Sequence, residues 1–132
     1  MLKNTFSVLE AWGFEYKTVA FTWIKTYAKS GKYFVGMGYW TRANPELCLL
    51  ATKGRPKRLA KDVQELIVSP VREHSRKPDE IYDRIERLVE GPYLELFARC
   101  ERPGWDVFGN EVDKFEETKY EKHSQLCTVP VA

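Results

Sequence analysis

The stretch from Val63 to Arg99 constrains the fold more than any other part of the chain. "VQELIVSP" is short, apolar and rich in β-branched residues, and Pro70 ends it, so it reads as a strand. In the next segment Ile81, Ile85, Leu88 and Val89 fall at i, i+4, i+7 and i+8, one apolar stripe on a helix. Pro78 suits the first helical position, and Asp79 and Glu80 suit the positive end of the dipole. Gly91-Pro92 stops the helix, and "YLELFAR", Tyr93 to Arg99, reads as a second strand. Strand, helix and strand in that order belong to an α/β protein with a mainly parallel sheet.

The flanking sequence extends the pattern. Leu2, Phe6, Leu9 and Trp12 recur at helical spacing and stop at Gly13. "YKTVAFTWIK", Tyr16 to Lys25, is a strand that places Val19, Phe21 and Trp23 on one face. A loop-rich excursion with three glycines and a proline leads to "LCLLATKG", whose continuous apolar run predicts a strand buried on both faces. "RPKRLAKD" reads as an exposed basic loop, and "WDVFGN" as a short fifth strand. A domain over 1–115 followed by a loosely held polar tail over 116–132 is expected.

At 132 residues the chain is long enough for one compact domain. Twenty-one basic against 19 acidic residues leave a net charge of only +2, so any case for nucleic acid must rest on local clustering. Cys48, Cys100 and Cys127 are odd in number and widely spaced, which points to reduced thiols rather than a disulfide framework. Lys3, Asn4 and Glu10 interrupt the N-terminus where a signal peptide would be apolar, and no apolar run is long enough to span a bilayer. A soluble cytoplasmic protein is expected.

Familiar motifs are mostly excluded. "GMGYW" lacks the third glycine of a dinucleotide fingerprint, and no GKS or GKT follows a glycine-rich loop. His74 and His123 lie far apart without ligand-spaced neighbours, so no metal site is expected. Four features remain. Arg55, Lys57 and Arg58 form a basic run suited to phosphate, against a bland reading as a solvated loop. Tyr39, Trp40 and Arg42 lie in the preceding loop and could stack on bases. Glu95 sits between Tyr93 and Phe97 on the face of an apolar strand, where a carboxylate needs a partner; Arg99 is the candidate, and ligand binding is the functional alternative. Arg72, His74, Arg76 and Lys77 crowd the approach to the helix, either as a plain helix start or to hold an anion, with Arg72, His74 and Arg76 as candidate nucleic-acid contacts.

In order, "GYWTRANPELCLLATKG", "REHSRKPDEIYDRIERL", "YLELFAR" and "GWDVFGNEVD" resemble the C-terminal portion of the MT-A seventy family, N6-adenine methyltransferases that use S-adenosylmethionine (SAM). The resemblance runs from about residue 9 to residue 115. It implies a Rossmann-like SAM-dependent methyltransferase sheet. It implies that Lys77 meets the methionine end of SAM, that Glu95 and Arg99 lie at the ribose, and that Asn110 and Glu111 hold the ribose and adenine end. Arg72 to Lys77 would form a mobile loop closing over the target base. Two departures stand out. Cys100 and Glu101 replace polar cofactor contacts of the eukaryotic relative. The family's Asp-Pro-Pro-Trp box, which accepts hydrogen bonds from the adenine amine and holds the flipped base, is absent, so no catalytic residue is assigned. The expectation is an N-terminally truncated sheet, inactive alone and completed by a homo-oligomer or a partner chain. Bacterial and phage members usually act on DNA, which makes DNA the expected target ahead of RNA. The alternatives are a non-catalytic nucleic-acid-binding subunit and a partner-binding module that reuses the fold.

Overall fold

The computed structural model describes residues 2–114. The expected polar tail lies outside the described residues. In chain order the elements are α1 (Leu2–Ala11), β1 (Glu15–Thr26), β2 (Pro45–Thr52), β3 (Leu66–Pro70), α2 (Glu80–Leu88), β4 (Tyr93–Leu96) and β5 (Trp105–Phe108).

The strands form two small sheets, ordered β2-β1-β3 and β4-β5. β1 runs antiparallel to β2, from Glu15 opposite Thr52 to Ile24 opposite Pro45. It runs parallel to β3, from Thr22 opposite Leu66 to Thr26 opposite Pro70. β4 and β5 are parallel. The chain is therefore mixed α/β, as its strand–helix–strand order requires, but one of the three pairings is antiparallel. β2 departs from expectation: it lies at a sheet edge with only Cys48 fully buried, and Leu47 is exposed. An unbroken apolar run does not imply two covered faces when one flank carries no neighbouring strand.

Phe21, Trp23, Cys48, Ile67, Ile81, Tyr82 and Cys100 form one core. Phe21 and Trp23 share a face by the period of two in β1, and Val19 is less deeply covered. α2 lays Ile81, Ile85 and Leu88 into this core and so joins the two sheets. Pro78 precedes the helix instead of opening it. Asp79 already has helical angles, but its carboxylate is taken by Arg72 and makes no cap. Helical geometry ends at Leu88, and Val89 is extended ahead of Gly91-Pro92. The opposite faces are bare: Leu66 and Val68 of β3, Leu94 and Leu96 of β4 and Phe108 of β5 are all exposed. Among the described residues no helix is long and apolar enough to cross a membrane.

Candidate functional site

Parallel pairing brings the ends of β1 and β3 to one sheet edge, Thr26 beside Pro70. Two loops leave that edge, residues 27–44 and residues 71–79. Between them lies a cleft of about 350 Å³ walled by Trp23, Lys25, Phe34, Glu46 and the run from Val71 to Lys77. Glu46 enters it because the first residues of β2 pair with the last of β1. Its carboxylate takes Lys25 Nζ at 2.8 Å and also the ammonium of Lys77. Burial pushes the Glu46 pKa up, but hydrogen bonds and charge from Lys25 and Lys77 outweigh it and hold the group below the usual carboxylate range. Two cations thus share one carboxylate at the floor of the cleft.

Most of the basic approach to α2 is engaged within the loop. Arg72 donates to Asp79 Oδ1 at 2.5 Å and to the Lys77 carbonyl at 3.1 Å, tying the two ends of the loop together. Arg76 donates to Glu73 Oε1 at 2.9 Å. Ser75 takes a left-handed φ of 63° at the turn between them, and His74 is exposed. Lys77 brings its charge to the cleft floor through Glu46.

The second sheet supplies the continuation of the rim. β4 ends at Leu96, three residues earlier than its sequence suggests, because Phe97 adopts a φ of 61°. Phe97 is consequently 73% exposed and does not share the Glu95 face. Ala98 N–H reaches the Phe108 carbonyl at 3.1 Å, and a Cβ on Gly109 would lie 2.5 Å from the Ala98 carbonyl oxygen. Only glycine permits that approach. It places Arg99 beside Glu111, Nε to Oε2 3.3 Å, while Arg99 Nη1 donates to the His74 carbonyl at 3.1 Å. The loops after β3, β4 and β5 therefore meet through one guanidinium. Asn110 is exposed on the same rim.

Glu95 lies beneath it, 6% exposed. The expected Glu95–Arg99 pair is not formed. Instead Tyr82 Oη stands 3.1 and 3.0 Å from the two carboxylate oxygens. Burial pushes the Glu95 pKa up to about 7, and the Tyr82 bond offsets this only in part. Desolvation and the neighbouring carboxylate push the Tyr82 phenol far above its ordinary range, so it remains a donor. Arg102 covers the Tyr82 ring and binds Asp83 and Glu86, each at 2.9 Å.

Glu46, Lys25, Tyr82 and Arg102 were not singled out from the sequence. Glu46 carried a related signal, a carboxylate directly before the apolar run of a strand as Glu95 is a carboxylate within one. Tyr82 flanks the apolar stripe directly after Ile81, a position that a strict i, i+4 count passes over.

Of the three expected nucleic-acid segments, residues 39–42 and the group Arg72, His74 and Arg76 lie in the two loops that wall the cleft, and residues 55–58 lie apart from them. Tyr39, Trp40 and Arg42 are exposed in the loop that walls the cleft. Arg55, Lys57 and Arg58 are exposed at the far end of β2, an eight-residue strand spanning roughly 25 Å. There Leu59 and Ala60 bond the final carbonyls of α2, and the nearby cations suit that negative helix end.

The sequence is similar to that of known proteins. The MT-A70 family model matches residues 1–111. The type II methyltransferase M.MunI of Mycoplasma is 36% identical over 114 residues, 84% of this chain and 46% of that protein. The MT-A70-like N(6)-adenosine-methyltransferase of Drosophila melanogaster is 38% identical over 110 residues, and the human catalytic subunit METTL3 37% identical over 110. The matched region is 80% of this chain but 18% and 19% of those two proteins, so the chain spans less than half the length of these relatives. By the extent of the family match and the run of shared sequence, this chain belongs to the MT-A70 family.

Proposed function

We propose that this chain forms the methyl-donor half of a SAM-dependent N6-adenine methyltransferase acting on nucleic acid. The observation that carries the reading is the Arg99 bridge, which joins the loops after three parallel strands into one rim beside a cleft of ligand size. Bound SAM supplies an electrophilic methyl group on a sulfonium.

The residues present fit that molecule. Lys77 would hold the methionine carboxylate, for which Glu46 now stands in on the same ammonium. Arg99, Asn110 and Glu111 would take the ribose and adenine end, Glu111 by accepting hydrogen bonds from the hydroxyls. Glu95 keeps acceptor capacity for a ribose hydroxyl, since one phenol proton satisfies only one of its lone pairs. Tyr82 would aim it. The loop from Arg72 to Lys77 would close over the target base, with His74 at its exposed tip.

The Asp-Pro-Pro-Trp box that would align the adenine amine is not among these residues. A further segment or a second chain would bring it and would cover the bare faces of β3, β4 and β5. We take DNA as the target ahead of RNA because the bacterial and phage members of the family usually act on DNA. The test is methyl transfer from labelled SAM to an adenine-containing duplex, with and without a polypeptide carrying the box. Label at adenine N6 in the mixture alone is expected. Label on another base, or a chain that takes up no SAM in either condition, contradicts the reading.

A further inference from the structure

The loop over residues 27–44 is built unlike an ordinary surface connection. It carries Lys29, Lys32 and Arg42, with Tyr27, Tyr33, Phe34, Tyr39 and Trp40, and no acidic residue. Its stem is ordered. Thr26 and Tyr33 form a bridge, as do Gly36 and Ala43. Asn44 Nδ2 donates to the Phe34 carbonyl at 2.6 Å, and the Tyr27 and Phe34 rings meet at 5.2 Å. Above this stem the chain turns sharply. Thr41 N–H donates to the Tyr39 carbonyl at 2.9 Å, closing a three-residue turn whose centre, Trp40, has a φ of 71°. A bulky residue pays for that conformation. Gly38 makes room for it, because a Cβ there would lie 2.1 Å from the Thr41 carbonyl oxygen.

The product of this geometry is a tip of large apolar groups in solvent. Met37 and Tyr39 are each 91% exposed and Trp40 is 92% exposed. Burial in the domain does not account for them. The stem also forms part of the cleft wall, through Phe34. The tip is therefore carried on a loop whose stem forms part of the cleft wall.

We propose that this loop is a base-stack wedge: Met37, Tyr39 and Trp40 enter the duplex beside the target nucleotide, while Lys29, Lys32 and Arg42 hold the flanking phosphates. The proposal rests on the methyltransferase reading, which requires the adenine to leave its stack. Apolar and aromatic side chains inserted at a base step fill the space and hold the duplex kinked. The cations and the absence of acids suit a polyanion better than a protein surface of mixed charge.

The experiment compares the full chain with a Tyr39→Ala, Trp40→Ala double variant. Both side chains are outside the core, so the fold is undisturbed. Affinity for a duplex carrying 2-aminopurine beside an adenine is measured across a salt series, with SAM affinity in parallel. The expected result is a loss of about tenfold or more in duplex affinity. The salt slope stays unchanged, 2-aminopurine unstacking is lost, and SAM affinity is retained. Equal duplex affinity in both proteins overturns the wedge. A chain that binds SAM but no duplex overturns the wedge and leaves the donor site standing. A chain that binds duplex but no SAM counts against the donor site and not against the wedge. A variant that changes oligomeric state with duplex affinity intact assigns the tip to a protein interface and overturns the proposal.

Discussion

The Tyr82 hydroxyl faces both oxygens of the Glu95 carboxylate, at 3.1 and 3.0 Å, and so ties α2 to β4 through a buried acid and a phenol. Burial raises the Glu95 pKa to about 7, above the value it has in the unfolded chain. The folded state therefore prefers the protonated acid. Its contribution is fully present below the unfolded pKa and is lost as pH rises through about 7. The cost to wild-type protein builds up between those two values and reaches on the order of 3 kcal/mol above pH 7. Glu95→Gln should remove that slope. Denaturant unfolding from pH 4.5 to 8 should show the variant gaining on wild type as pH rises, and parallel curves would refute the assignment.

Glu46 has the opposite sign. Lys25 and Lys77 hold its pKa down, so its stabilisation is present above the unfolded carboxylate range and lost as pH falls through its folded value. Glu46→Gln should cost about 1 kcal/mol at neutral pH, allowing for screening at a partly exposed carboxylate. The deficit should shrink in acid and in high salt. A deficit independent of both would mean that packing, not charge, is lost.

Arg102 is the fixed point between the β4–β5 connection and α2. Its side chain is 7% exposed and bonds Glu86 and Asp83 while covering Tyr82. Trp105 Nε1 shares the Glu86 oxygen at 2.7 Å. Arg102→Ala should destabilise the protein by about 2 kcal/mol, as expected for lost charge-assisted bonds and lost packing. Near-UV circular dichroism should report loosened Tyr82 and Trp105 rings. An unchanged unfolding midpoint would contradict this.

The strands, both helices and the exposed loops were legible because each has a strong local signal: β-branched runs, an i, i+4 stripe, a glycine stop. What the sequence hid was pairing. Whether "LCLLATKG" has one neighbour or two depends on which strands exist beside it, and no local pattern carries that. The need of Glu95 for a partner is legible in its apolar strand. Which partner it takes is not, because Phe97 turns left-handed and ends β4, sending Arg99 to the rim. Lys77 and Glu111 were read as site residues from the family resemblance, whereas Lys25 and Glu46 joined the cleft only once antiparallel pairing set the start of β2 against the end of β1.

The basic loop at the far end of β2 gives a separate prediction. Arg55 and Arg58 follow the end of β2 opposite the cleft, so they would act on phosphates away from the target. Reversing both to Glu should weaken binding to a long duplex and lower the salt slope by about two, with SAM affinity unchanged. A slope that does not move would make the loop a solvated face.

The most direct measurement is a calorimetric titration of the whole chain with SAM, set against Lys77→Ala. The donor-site reading predicts saturable one-to-one binding that the substitution weakens by about tenfold, the worth of one charge-assisted bond. Binding of equal strength in both proteins, or none in wild type, would contradict it.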